Sequence, residues 1–121
     1  MAKILTVDDA AFMRNIIKGI LERAGYTEIF EAVDGFQAIE KYKQIEPDLV
    51  LLDITMPNLD GLQALRVIKT ANPTANVVMC TALGQEFMVL DAMKFGARDF
   101  IVKPFKPDRL LRTVTSIIGP P

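Results

Sequence analysis

Four short apolar runs along this chain each stop at a polar residue. Lys3-Ile4-Leu5-Thr6-Val7 runs into Asp8-Asp9, Leu49-Val50-Leu51-Leu52 into Asp53, Val77-Val78-Met79-Cys80 into Thr81, and Phe100-Ile101-Val102 into Lys103-Pro104. Longer stretches of helical spacing separate them, so strands and helices alternate along the chain. Glu28 to Ala32 reads as a further strand, placed near a sheet edge by its two glutamates. Met13, Ile16, Ile17, Ile20, Leu21 and Ala24 fall on one buried face of a first helix that Gly25 stops. After a turn at Asp34-Gly35, Ala38, Ile39 and Tyr42 mark the inward stripe of a second helix.

Pro57 and Asp60-Gly61 predict a loop before a third helix, from Leu62 to about Thr70, which Asn72-Pro73 breaks. A strand is expected over Asn76 to Cys80, a fourth helix over Gln85 to Phe95, and a last strand over Asp99 to Val102. Pro107 suits the first turn of a final helix, and Gly119-Pro120-Pro121 follows it. Parallel strands need crossovers, so the alternation predicts an α/β fold: a doubly wound, five-stranded parallel sheet with helices on both faces, in one domain over residues 1–121. Ligands of such sheets bind beyond the carboxyl ends of the strands. Asp8, Asp9, Asp53, Thr81 and Lys103 all fall there.

Composition narrows the chemistry. Fourteen basic and 15 acidic residues give a net charge of −1 with no long run of either sign, so the linear sequence carries no nucleic-acid footprint. The single cysteine, Cys80, forms no intrachain disulfide and reads as a buried thiol. Histidine is absent, which removes imidazole metal sites and histidine-dependent triads from within the chain. No stretch approaches the ~20 apolar residues of a membrane span, and the apolar run before Asp8 is too short for a signal peptide. A cytoplasmic protein without membrane or nucleic-acid partners is expected.

Asp8 or Asp9, taken singly, is readily explained as a helix N-cap. As a pair facing Asp53 on a neighbouring strand they converge and repel, and a divalent cation is the simplest relief. An oxygen-only donor set favours Mg2+, with Mn2+ as the alternative, and such a site leaves room for a phosphoryl oxygen. Asp53 is then the candidate nucleophile, since a carboxylate can accept a phosphoryl group as an acyl phosphate; alone, it is equally a turn residue. Lys103 could neutralise phosphoryl oxygens, although a lone strand-end lysine is usually solvated. Pro104 permits a cis bond beside it. Thr81 could donate its hydroxyl, or be an ordinary β-branched strand residue.

Asp8-Asp9, Asp53-Ile54-Thr55-Met56-Pro57, Asp60-Gly61, Thr81-Ala82 and Lys103-Pro104-Phe105, in this order, resemble the receiver domain of two-component response regulators over essentially the whole chain. Within that family, the stretches Asp8 to Arg14 and Gly96 to Phe105 are most similar to chemotaxis regulators. The resemblance implies a flavodoxin-like strand order 2-1-3-4-5. It implies that Asp53 takes its phosphoryl group from the phosphohistidine of a partner kinase of the chemotaxis type. Asp9, Asp53 and the Thr55 carbonyl would bind the metal directly, with Asp8 acting mainly through water, and Lys103 and Thr81 would contact the phosphoryl group. The protein would catalyse its own phosphorylation and dephosphorylation rather than turn over a free substrate.

The family's aromatic switch residue on the last strand is Phe100 here, where tyrosine is commoner. Phenylalanine can change rotamer but has no hydroxyl to bond, and it is equally a plain core residue. Leu83, two residues past Thr81, cannot orient a hydrolytic water, which predicts slow self-dephosphorylation. Val89, Met93, Phe95 and Phe100 are candidates for the partner surface, with most of the group expected to be buried and one or two exposed.

The expected role is that of a stand-alone monomeric switch acting on the flagellar motor switch or another output protein, with a phosphatase as a further partner. A phosphorelay intermediate and a receiver cut from a larger regulator are the near alternatives. An aspartate-nucleophile phosphatase fits less well, because that family separates its two aspartates by one residue. A flavodoxin-like cofactor binder is disfavoured, because two carboxylates in the first loop would repel a phosphate.

Overall fold

The apolar runs pair as five parallel strands, and the computed structural model describes residues 2–121. The elements are β1 (Lys3–Val7), α1 (Ala11–Ala24), β2 (Glu28–Ala32), α2 (Gly35–Ile45), β3 (Leu49–Asp53), α3 (Gly61–Ala71), β4 (Val77–Ala82), α4 (Phe87–Lys94), β5 (Asp99–Lys103) and α5 (Pro107–Ile118). Their order across the sheet is β2-β1-β3-β4-β5. The strand rich in glutamate is indeed an edge strand, and the uninterrupted β3 is central and buried throughout.

Alternation along each strand divides the core in two. Leu5, Val7, Val50, Leu52, Val77 and Met79 pack with residues of α2, α3 and α4. Ile4, Leu49, Leu51, Val78, Cys80 and Ile101 face the other way and pack with Ile17, Ile20 and Leu21 of α1 and Leu110 and Val114 of α5. The side chain two residues beyond Thr6, at the end of β3, or at the end of β5 therefore emerges on the α1/α5 side. Those positions are Asp8, Asp53 and Lys103.

Several local expectations shift by a residue or more. Neither Asp8 nor Asp9 caps α1; Ala10 occupies that position without a side-chain bond, and the helix starts at Ala11. Ile16 lies off the buried face, 47% exposed, because the stripe that meets the sheet narrows to Ile17, Ile20 and Leu21. α3 starts at Gly61, where Asp60 and Gln63 form a reciprocal capping box. β4 runs on to Ala82, so Thr81 is a strand residue, not the first residue past the strand. α4 covers only Phe87–Lys94, shorter at both ends than its apolar spacing suggests, and has no side-chain cap. Among the described residues, no helix is long and apolar enough to cross a membrane.

Candidate functional site

β1 and β3 are neighbours, with Val7 in register with Leu52. Asp8 and Asp53, each one step further on, therefore emerge side by side. Lys103 ends β5, with β4 between it and β3, and a four-carbon stem spans that gap. Its ammonium lies 2.8 Å from Asp8 Oδ2 and 3.2 Å from Asp53 Oδ1. The Lys103–Pro104 peptide bond is cis. Asp8 and Asp53 are buried, whereas Asp9 is exposed at the mouth of the group. One carboxylate oxygen from each of the three lies within 4.8 Å of the others.

The loop carrying Asp8 is fastened on several sides. Asp8 N–H donates to Ala32 O at 3.2 Å, and its Oδ1 accepts Ala10 N–H at 2.9 Å. Arg14 donates from Nη1 to Asp8 O at 2.6 Å and from Nε to Glu31 Oε1 at 3.1 Å. That arginine thus ties the first carboxylate to the edge strand. In the sequence Arg14 stands only as the last residue of the stretch from Asp8, with nothing to mark this role. A guanidinium that serves a backbone carbonyl leaves no spacing to read.

Three carboxylates against one ammonium leave the group short of positive charge. Burial pushes the Asp53 carboxyl up to about 6; the Lys103 charge opposes this, and the Asp8 and Asp9 charges add to it. Burial alone would lower the Lys103 pKa, but its hydrogen bond to Asp8 and the Asp53 and Asp8 charges outweigh burial and raise it. Lys103 is therefore a permanent cation at neutral pH. The remaining negative charge and the oxygen-only donors suit a hard divalent cation. Asp8, Asp9 and Asp53 fit one by their convergence and by the repulsion that an added cation would relieve.

Thr81 is fully buried, and its Oγ1 bonds weakly to Ala82 O at 3.3 Å. Strand alternation turns it toward the α2–α4 side, away from the face that bears Asp53 and Lys103. Phe100 shares that side: it is in register with Met79, two residues before Thr81 on β4, and is half-buried against the same core. Its carbonyl accepts Arg109 Nη2 at 3.0 Å. The two candidate switch residues thus share one side of the sheet, and Thr81 lies one residue beyond Cys80, the register partner of Asp53. Thr55 is exposed, and its hydroxyl accepts Gln85 Nε2 at 2.8 Å, linking the β3–α3 and β4–α4 loops.

Of the four partner-surface candidates, Val89 is only 5% exposed and packs in the core, so it offers no surface. Met93 and Phe95 are exposed and Phe100 is intermediate. Apolar residues left out of that set are more exposed still: Leu83 (73%), Phe87 (70%) and Leu90 (69%). With Val89 turned inward, Phe87 and Leu90, three residues apart on α4, face solvent, and Leu83 in the turn before the helix is exposed as well. Helical spacing alone cannot say which of two apolar stripes on one helix is the buried one.

Comparison with known proteins places the chain. The sequence model of the response regulator receiver domain matches residues 4–115. The chemotaxis protein CheY of Bacillus subtilis is 53% identical over 117 residues, covering 97% of this chain and 98% of that protein. Among solved structures, the receiver domain of NtrX from Brucella abortus superposes with a TM-score of 0.91 at 37% identity, over 96% of this chain and 98% of that one. The CheX–CheY–BeF3–Mg2+ complex from Borrelia burgdorferi also gives 0.91, at 39% identity over 97% and 89%.

Proposed function

Because the chain belongs to the response regulator receiver domain family and is closely related to CheY, we propose that it is a switch operated by phosphorylation of Asp53. The observation that carries this reading is the pairing of Asp53 Oδ1 with Lys103 Nζ at 3.2 Å inside a cluster of three carboxylates. At pH 7 a carboxyl with a pKa of about 6 is ionised and can act as the nucleophile. A carboxylate oxygen of Asp53 forms the new O–P bond as the N–P bond of a phosphohistidine breaks, and the departing imidazole nitrogen takes up a proton from solvent. The donor comes from another molecule, a sensor histidine kinase of the chemotaxis type, because this chain has no histidine.

Lys103 holds Asp53 in place before transfer and neutralises phosphoryl oxygen afterwards. Asp9, Asp53 and the Thr55 carbonyl, with Asp8 through water, are the groups that would hold Mg2+ or Mn2+. Such an ion, when bound, supplies the positive charge that lets an anionic carboxylate approach an anionic phosphoryl group. Thr81 then turns its hydroxyl toward the phosphoryl group, and Phe100 moves into the space beside it. The altered face meets an output protein, the flagellar motor switch being the foremost candidate. A CheX-type protein, by analogy with the Borrelia complex, or a phosphatase would be a further partner. The reading places a monomeric protein in the cytoplasm.

Incubation with acetyl phosphate and Mg2+, followed by intact-mass measurement, tests the acceptor. One phosphoryl group should be gained by the unaltered protein and none by Asp53→Asn. No gain in the unaltered protein would contradict the proposal.

A further inference from the structure

The β3–α3 loop, residues 54–60, is pinned on both sides of Thr55. On the sheet side, Ile54 N–H donates to Cys80 O at 3.2 Å, and Gly61 N–H returns to Ile54 O at 2.7 Å. On the other side the contacts come from the start of α2. Gly35 N–H donates to Leu59 O at 2.9 Å, and Asn58 Nδ2 donates to Asp34 Oδ2 at 2.9 Å. The second oxygen of Asp34 accepts Gln37 N–H at 2.9 Å and so caps α2. The Gln37 N–H and then the Asn58 amide hold the Asp34 carboxyl below the usual carboxylate range.

The fit leaves little freedom. A Cβ on Gly35 would collide with the Leu59 carbonyl, and one on Gly61 with the carbonyl of Asp53 itself. Asn58 has φ 67°, in the left-handed region that asparagine tolerates better than most residues. Ile54 and Met56 are buried, with exposed Thr55 between them. Asp34 and Asn58 lie outside the carboxylate group, yet their bond fixes the far end of the loop on which Thr55 sits.

We propose that Asp34 and Asn58 are positioning residues for the phosphoacceptor loop: their bond holds the backbone at Thr55 in the conformation that receives the metal ion. The inference rests on the proposed part of the Thr55 carbonyl in metal binding. Neither residue touches the ion or the phosphoryl group, so the pair acts on metal affinity and not on the transfer step once metal is bound.

Asn58→Gly keeps the left-handed backbone and deletes only the amide. Asp34→Ser keeps an N-cap acceptor for Gln37 but has no second oxygen for Asn58. Mg2+ affinity is measured by calorimetry for both variants and the double variant, with phosphorylation rates from acetyl phosphate across Mg2+ concentrations and thermal midpoints in EDTA. Each single variant should bind Mg2+ about tenfold more weakly, and the double variant no more weakly than either. The rate at saturating Mg2+ should equal that of the unaltered protein. Lowered EDTA midpoints with unchanged Mg2+ affinity would show a merely structural bond and overturn the inference, as would losses that add in the double variant. Failure of the unaltered protein to bind Mg2+ would overturn the functional reading beneath it; normal binding there with unchanged affinity in both variants overturns the inference alone.

Discussion

From Leu49 to Asp53 every residue of β3 is buried, and Asp53, the proposed acceptor at its end, is held by a lysine from two strands away. In α4, one strand over, eight residues run without a side-chain cap, and Phe87, Leu90 and Met93 face solvent while Val89 and Ala92 turn inward. An isolated helix of that length does not persist in water, so α4 keeps its place through those two inward residues and their neighbours. The sheet edge is over-determined by ladder bonds and ion pairs, whereas the helix is lightly attached. The contrast suits a switch, because the chemistry needs atoms fixed to within a fraction of an ångström and the output needs a segment that small forces can move. Thr81 sits between the two: it is buried in β4, and the chain leaves that strand for α4 two residues later.

The largest effect expected at the fixed end comes from Lys103→Met. It removes the only cation paired with Asp8 and Asp53 among the described residues and should slow phosphorylation about a hundredfold or more, read as the initial rate of mass gain. A loss under threefold would mean that the ion pair is incidental to the chemistry. In stability the contrast should be steep. Leu51→Ala, in the core below Asp53, should cost about 2–5 kcal/mol, and Leu90→Ser on exposed α4 less than about 0.5 kcal/mol. Equal shifts of the urea midpoint would show α4 to be as firmly held as the sheet.

A smaller signal follows from Asp53. Its folded pKa of about 6 exceeds the ordinary carboxyl value of 3.8, so the folded protein holds this proton more tightly than the unfolded chain. The group therefore contributes stability that is fully present below about pH 4 and lost as the pH rises through about 6. Asp53→Asn should flatten that decline in metal-free buffer, and urea midpoints between pH 4 and 7 measure it. An unchanged pH profile would mean that the carboxylate is not strained by burial. Smaller again is Leu83→Glu, which should shorten the lifetime of the phosphorylated protein several-fold by orienting a water. Equal decay rates would remove Leu83 from the account.

Strand runs and their terminal residues make the sheet and the carboxylate group readable in the sequence, because alternation and strand ends are local properties. Asp8, Asp53 and Lys103 meet where a doubly wound sheet puts them. The bond between Asp34 and Asn58, and the grip of Arg14 on the Asp8 carbonyl, join segments distant in the chain through groups with no motif. They became visible only when the loops were placed. That Val89 is the buried one of its group while Met93 and Phe95 are exposed has a related cause: a short helix with two apolar stripes chooses its buried one by what the sheet presents. Thr81 looked like a residue past its strand because β4 carries its last two residues beyond the apolar run that announces it.

Backbone hydrogen exchange, followed by mass spectrometry with and without acetyl phosphate and Mg2+, tests most directly whether chemistry at the fixed edge resets the loose helix. The account predicts a changed exchange rate in the segment from Leu83 to Phe95, with the β1 and β3 amides unchanged, and no such change in Asp53→Asn. Stoichiometric phosphorylation that leaves exchange in that segment unaltered would contradict it.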